Sequence, residues 1–276
     1  MNLNKIEIMN FKPSNMAMDA TIVMIAKRAS GKSFVVRDLV YNYRKLPGGV
    51  IIAPTDQLNP FYKYFFPDIY IHHEINPEVL KKIMARQATL KCQKNKGKLN
   101  VDPSMLLIMD DCLADAKAWS KDKTIREILM NGRHYKITYI LTMQTPLGIG
   151  PELRLNFDYI FLLKEQSIIN RKKLHMNYAS IFPNLNVFNK FLDKCTEDYR
   201  CMVIDARKTG NKISDTVYWY KAKDRKFTFG SKQFKQLHKK YYDPDFLEKK
   251  LEADFGLNQM MMKKKNEPNI GIVLND

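Results

Sequence analysis

Two clusters in this sequence carry groups able to grip a triphosphate and a metal ion. The first is Ala26-Lys27-Arg28-Ala29-Ser30-Gly31-Lys32-Ser33. Gly31 lets the backbone come close to an anion, where a Cβ would collide. Backbone N–H groups at the start of a following helix point at the phosphates. Lys32 supplies positive charge to the β- and γ-phosphates, and the Ser33 hydroxyl holds Mg²⁺. The strict pattern begins with Gly, and position 26 is Ala. The second cluster is Asp110-Asp111, about eighty residues further on. Asp110 suits the carboxylate that steadies the Mg²⁺ hydration shell. Asp111 suits the one that polarises an attacking water, a position more often held by Glu. Gln144 ends a later apolar run, where its amide senses the γ-phosphate. A second carboxylate argues against a small-molecule kinase, whose acceptor is not water. The expected chemistry is attack of water on the γ-phosphate, with Lys32 and Mg²⁺ neutralising charge and Asp111 orienting the water.

These residues need particular elements to position them. Thr21–Ile25 reads as a buried strand, and Val35, Val36, Leu39, Val40 and Tyr43 recur at helical spacing behind the loop. Strand, turn, Gly-Lys-Ser and helix form the context a phosphate-binding loop requires. Met105–Met109 is a continuous apolar run, as in a parallel strand buried on both faces, and its acids fall where such a sheet presents ligand-binding groups. Ile137–Thr142 and Tyr159–Leu163 are further strands, and Val50–Ala53 another, entered by a turn at Pro47-Gly48-Gly49. Ile6, Ile8 and Phe11 alternate, which suggests a short edge strand. Asn76-Pro77-Glu78 opens a helix expected to reach about Lys91. Thr124–Met130 is helical, with Gly132 a C-cap candidate. Residues 167–200 are mostly helical with a break at Pro183-Asn184, and 202–205 with 217–220 form a closing pair of strands. The aromatic stretch from Asn59 to Pro67 either stacks on bases or packs a helix on the sheet; packing is the favoured reading. The whole is an α/β additional-strand layout with a mostly parallel central sheet, in an ATPase domain at 1–222 and a basic, helical and partly disordered C-terminal extension at 223–276.

Charge is the compositional anomaly. Against 29 Asp+Glu stand 46 Lys+Arg, a net of +17 over 276 residues. A nucleotide-binding core alone does not need this, and nucleic acid is the first partner such charge implies. Lys94, Lys96 and Lys98 lie in a polar stretch suited to a phosphate backbone; Lys223, Arg225 and Lys226 begin a second cluster, and Met260–Lys265 carries a further basic run. No run of about 18 apolar residues is present. The first residues, Met1–Lys5, do not read as a signal peptide. Cys92, Cys112, Cys195 and Cys201 form no Cys-x-x-Cys pair and suit a reducing compartment as idle thiols.

In combination, the phosphate loop, Ile-Ile-Ala-Pro-Thr (51–55), Leu-Leu-Ile-Met-Asp-Asp-Cys (106–112), Asn-Gly-Arg-His-Tyr (131–135), Thr-Met-Gln (142–144) and Arg-Leu-Asn-Phe-Asp-Tyr (154–159) resemble the genome-packaging ATPases of large double-stranded DNA viruses of eukaryotes, the poxvirus and giant-virus type within the FtsK–HerA division. The resemblance spans about residues 5–222. It implies a three-layer, RecA-like P-loop fold and a homo-oligomeric ring, pentamer or hexamer, that uses ATP and Mg²⁺ to translocate duplex DNA into a preformed capsid. It implies nucleotide sites between subunits, with a neighbour's arginine reaching the γ-phosphate: Arg133 first, Arg154 second, with Arg28 the candidate in the same subunit. Basic residues would line a channel and contact phosphates without reading bases. It also implies capsid vertex or portal components as partners and location in the infected cell's cytoplasmic viral factory and in the virion. A HerA-like translocase or helicase of replication or repair is the alternative, and a non-hydrolysing nucleotide-dependent DNA scaffold a third.

Overall fold

Two apolar faces on single strands set the architecture. In the stretch Thr21–Ile25, Ile22 and Met24 are buried in one cluster, Val23 and Ile25 in another. A strand that hides both faces must be sandwiched between layers. The computed structural model describes residues 6–98, 100–112, 122–210 and 212–246, with 249, 252–253 and 255–256. Met1–Lys5 and the Met260–Lys265 run lie outside the described residues.

Nine strands form one sheet among the described residues: β1 (Met9–Asn10), β2 (Thr21–Ile25), β3 (Gly48–Ile52), β4 (Ile71–His72), β5 (Met105–Asp110), β6 (Ile137–Met143), β7 (Tyr159–Leu162), β8 (Arg200–Asp205) and β9 (Val217–Lys221). Their order is β1-β9-β8-β7-β2-β6-β5-β3-β4. Only β8 runs against the rest. The strand β6 sits between β2, which leads into the phosphate loop, and the acid-tipped β5; this is the additional strand. The fold is therefore the mostly parallel, three-layer P-loop type that the motifs imply.

One face carries α1 (Lys32–Asn42) and the aromatic stretch: Val36, Leu39, Tyr62, Phe65 and Phe66 share a cluster with Ile51, Leu106 and Ile140. Residues 62–64 are a short 3₁₀ turn rather than a helix; the rings of Tyr62, Phe65 and Phe66 are core, the favoured packing, while Tyr64 is exposed. The other face carries α2 (Pro77–Asn95), α3 (Lys123–Asn131), α4 (Ile168–Tyr178) and α5 (Leu185–Cys195). Leu80, Ile128, Leu174 and Leu192 pack there with Leu107 and Leu141. Asn76 caps α2 as expected, its Oδ1 accepting the Glu78 N–H at 2.9 Å. Gly132 ends α3 in right-handed conformation, and the left-handed residue is Lys136, which closes a 3₁₀ turn over Gly132–Tyr135.

Two expectations change. Gly48 and Gly49 are strand, not turn. A Cβ on Gly49 would stand 2.8 Å from the Leu106 carbonyl, and one on Gly48 3.0 Å from the Phe234 ring. The glycines thus let Phe229 and Phe234 lie flat on the sheet. That contact explains the second change: one compact unit extends to His238, beyond the boundary expected at 222. Phe229 is fully buried, its N–H donates to the Phe65 carbonyl at 2.8 Å, and its ring stacks on Phe66 at 4.6 Å. The helix α6 (Lys232–Tyr241) follows. The second unit starts at Lys239; within it Lys249 pairs with Asp243 at 3.0 Å.

Candidate active site

The loop after β2 and the tips of β5 and β6 meet at one sheet edge, as parallel strands in this order require. The Lys32 amine stands 3.1 Å from Asp110 Oδ1. Thr142, paired with Asp110 in the β5–β6 register, serves both acids: its hydroxyl donates to Asp110 Oδ1 and accepts the Asp111 N–H at 3.0 Å. The Gln144 amide donates to Asp111 Oδ2. Lys32, Ser33, Asp110, Asp111 and Gln144 line one cleft of about 960 Å³.

Backbone conformation explains the loop's departures from pattern. Gly31 has φ +89°, a left-handed value that suits glycine, and a Cβ there would meet nothing within 4 Å. Handedness, not crowding within the protein, fixes this glycine. Among the described residues with positive φ, the loop contributes Ala29 and Gly31 but not Ala26. Ala26 continues β2, its N–H donating to Met143 O at 2.9 Å, so position 26 needs no glycine. Ser30 Oγ donates to the Lys27 carbonyl at 2.6 Å and tightens the loop.

A ring of residues without a role in the sequence reading supports these groups. The buried Asp56 accepts the N–H groups of Phe61 and Tyr62 at 2.7 and 3.2 Å. Burial raises its pKa above the usual carboxylate value, against those two hydrogen bonds. Tyr62 is 1% exposed, and its hydroxyl faces Asp110 without a well-formed hydrogen bond. Burial, then the Asp110 charge, push that phenol well above its ordinary value. Glu165 takes the Lys27 amine at 2.8 Å, the Ser167 N–H at 2.8 Å and the Asn170 amide at 3.1 Å. Burial raises this carboxyl, but the three donors outweigh it and the pKa lies below the usual value. Burial and the Asp110 and Asp111 charges push the Cys112 thiol far up, so it stays protonated. Thr142 had a signal in sequence, facing Asp110 across the strand pair. Asp56, Tyr62 and Glu165 had none, because loop conformation brings them in.

The donor set fits Mg²⁺, a hard cation that takes one or two protein oxygens and completes its shell with phosphates and water. Among the described residues no group of three or more His, Cys, Asp or Glu could hold a metal by itself.

The remaining candidates disperse. Arg28 lines the cleft and is exposed. Arg133 precedes β6, at the other sheet edge, and pairs with Asp158 at 2.6 Å. Arg154 donates through Nε to the Ile149 carbonyl at 2.9 Å and through Nη1 to Asn177. Lys94, Lys96 and Lys98 are exposed at the end of α2, near the Arg133 edge: Lys91 bonds the His134 carbonyl at 2.6 Å there. Lys223 and Lys226 are exposed beyond β9. Arg225 is committed to structure: it pairs with the buried Asp38 at 3.1 Å and lies 4.6 Å over the Tyr41 ring. All four cysteines are free, Cys92 exposed and the others buried. No helix among the described residues is long and apolar enough to cross a membrane.

Fold and site together define a P-loop ATPase fold of the additional-strand division. Solved structures share it: the DNA-packaging ATPase B204 of Sulfolobus turreted icosahedral virus, TM-score 0.53 at 16% identity, covering 76% of this chain and all of that one, and its counterpart from Sulfolobus turreted icosahedral virus 2 in complex with AMPPCP, TM-score 0.51 at 17% identity over 77% of this chain and all of that one. Residues 9–207 match the Poxvirus A32 protein family, and the chain belongs to it. Among relatives, protein L437 of Acanthamoeba polyphaga mimivirus is 55% identical over all of this chain and 99% of its own length. Protein 075L of Invertebrate iridescent virus 6 is 31% identical over 82% of this chain and 87% of its own.

Proposed function

We propose that this protein hydrolyses ATP to package a viral genome, translocating double-stranded DNA into a preformed capsid. One observation carries the catalytic part: Lys32 and Asp110 in contact at 3.1 Å, beside the Gln144–Asp111 hydrogen bond, along a cleft large enough for a nucleotide. Membership in the A32 family and the fold shared with the packaging ATPase B204 support the packaging part.

The triphosphate sits on the α1 N-terminus, where loop N–H groups and Lys32 take its oxygens. Ser33 and Asp110 would hold Mg²⁺, which supplies neutralisation of charge on the transferring phosphoryl group. Thr142 keeps Asp110 turned toward Lys32. Asp111 accepts the proton side of the attacking water, and Gln144 links that carboxylate to the γ-phosphate. Arg28 is the in-cis arginine that lines the cleft; Arg133 and Arg154 would act only on a neighbour's site in a ring of five or six subunits, and Arg133 only by releasing Asp158. The exposed Lys94, Lys96 and Lys98, then Lys223 and Lys226, are the DNA contacts proposed, with backbone recognition and no sequence preference. Capsid vertex or portal components are the partners, and the viral factory in the infected cell the site of action.

DNA-stimulated ATP turnover tests this reading. Lys32→Ala and Asp111→Asn should each lower the rate about a hundredfold or more. Unchanged turnover in either would remove the enzyme. Duplex should move without strand separation; unwinding would point to a helicase instead. Arg133→Ala mixed with wild type should regain activity only if that arginine acts across a subunit boundary.

A further inference from the structure

We propose that Tyr199 is the platform on which the purine base of the nucleotide stacks, an inference that rests on the nucleotide-site reading above. The cleft has a direction. Asp110, Asp111 and Gln144 come from β5 and from the end of β6, on one side of β2, and mark the γ-phosphate end. A triphosphate anchored there on α1 sends its ribose and base toward the opposite side, where β7, β8 and β9 lie. On that side the cleft is lined by Tyr199, Lys221 and Ala222.

Tyr199 is built as a surface feature would not be. Its side chain is large and aromatic, yet the residue is 89% exposed. It follows Asp198, and both are left-handed, with φ 60° and 52°. Two successive non-glycine residues in that region are costly and tend to occur at functional sites. The turn is clamped from both sides. Thr196 Oγ1 donates to the Leu192 carbonyl at 2.7 Å, and Arg200 Nε to the Glu197 carbonyl at 2.9 Å. The Arg200 guanidinium is itself held 5.4 Å over the Trp219 ring. The exposed Phe34 ring on the cleft wall is already engaged: it packs on the half-buried Phe61, and Arg37 covers both. No aromatic or cation contact falls on the Tyr199 ring among the described residues. A planar heteroaromatic base fits that open face, with Lys221 in the same cleft lining available to the polar edge of the ribose or base.

Competition binding on the full chain separates base from phosphate, using ATP and inorganic tripolyphosphate as the two probes. Tyr199→Ala should weaken ATP roughly ten- to a hundredfold, the usual scale for losing one base–aromatic stack. Tripolyphosphate should bind that variant within about twofold of wild type, since it has no base to lose. Tyr199→Phe should keep wild-type affinity for both. The proposal is overturned if Tyr199→Ala binds ATP like wild type, or loses ATP and tripolyphosphate equally. Wild-type protein that binds neither probe, indistinguishable from Lys32→Ala, would sink the nucleotide site itself and the platform with it.

Discussion

The two edges of the sheet carry the same kinds of residue and use them differently. At the N-terminal edge Asp158 accepts the Thr21 N–H at 2.9 Å and Arg133 at 2.6 Å, while Asp19 takes Lys136 at 2.8 Å. Tyr159 accepts the Ala17 N–H at 3.1 Å and an Arg207 N–H at 2.5 Å. These pairs fasten incoming chain segments to the first residues of strands. At the C-terminal edge Asp110 is as buried as Asp158, each 5% exposed. Its partners are the Lys32 amine and the Thr142 hydroxyl, groups of the cleft lining and of the strand beside it rather than backbone N–H donors. Burial and pairing therefore do not distinguish a working carboxylate from a fastening one. What does is where the partner stands: Asp158 and Asp19 pair with Arg133 and Lys136 outside the cleft, and Asp158 adds a backbone N–H, whereas Asp110 meets Lys32 in the cleft lining.

Substitution at the fastening edge should unfold the protein before it alters the chemistry. Asp158→Ala strands the Thr21 N–H and frees Arg133, and should cost about 2–4 kcal/mol. The drop should appear as a lower denaturant midpoint with an unchanged slope. Asp158→Asn, which keeps an acceptor for Thr21, should cost less. An Asp158→Ala protein of wild-type stability with ATP turnover abolished would erase the distinction between the edges.

The fastening edge also bears Lys94, Lys96 and Lys98, the lysines proposed first as DNA contacts. Replacing Lys94, Lys96 and Lys98 together by Gln should leave stability and basal ATP turnover within about twofold, because all three are exposed. The slope of log affinity for duplex DNA against log salt should shrink by up to about 2–3 per subunit engaged. An unchanged slope would move the DNA surface elsewhere, with Lys223 and Lys226 next in line.

Much of the site was legible because strand tips are simple. An apolar run followed by Asp110-Asp111, and another followed by Gln144, must deliver those groups to one edge once the strands are parallel. The central order was legible for the same reason. The support around them was not. Glu165 reaches Lys27 through a chain reversal after β7, and Asp56 and Tyr62 through 3₁₀ turns without period. Gly48 and Gly49 look like a turn until Phe229 and Phe234, far along the chain, explain them. Arg225 read as one more basic residue, and only the fold shows Asp38 and Tyr41 holding it. Nothing local in sequence marks a charge as fastened or free.

Glu165 tests the comparison most finely, because it sits at the working edge and behaves like a fastener. It is buried, it bonds a backbone N–H at Ser167, and it also grips Lys27 of the phosphate loop. Its pKa is depressed in the folded state, so its carboxylate contributes stability above the unfolded value of about 4.3, and that contribution fades as pH falls through the folded value. Glu165→Gln should therefore be less stable than wild type by about 1–2 kcal/mol at pH 7. The gap should hold down to about pH 5 and narrow toward pH 3. Urea midpoints measured across that range read it directly. A gap constant with pH would mean that the amide fails for reasons of shape, and the charge on Glu165 is not what ties the loop. A gap that closes, with ATP affinity altered at neutral pH, would make Glu165 both fastener and loop partner, because Lys27, 45% exposed at its side chain, is then free to swing away from the phosphates. Salt should weaken the Lys27 share of the effect and spare the Ser167 share, since only the exposed partner is open to screening.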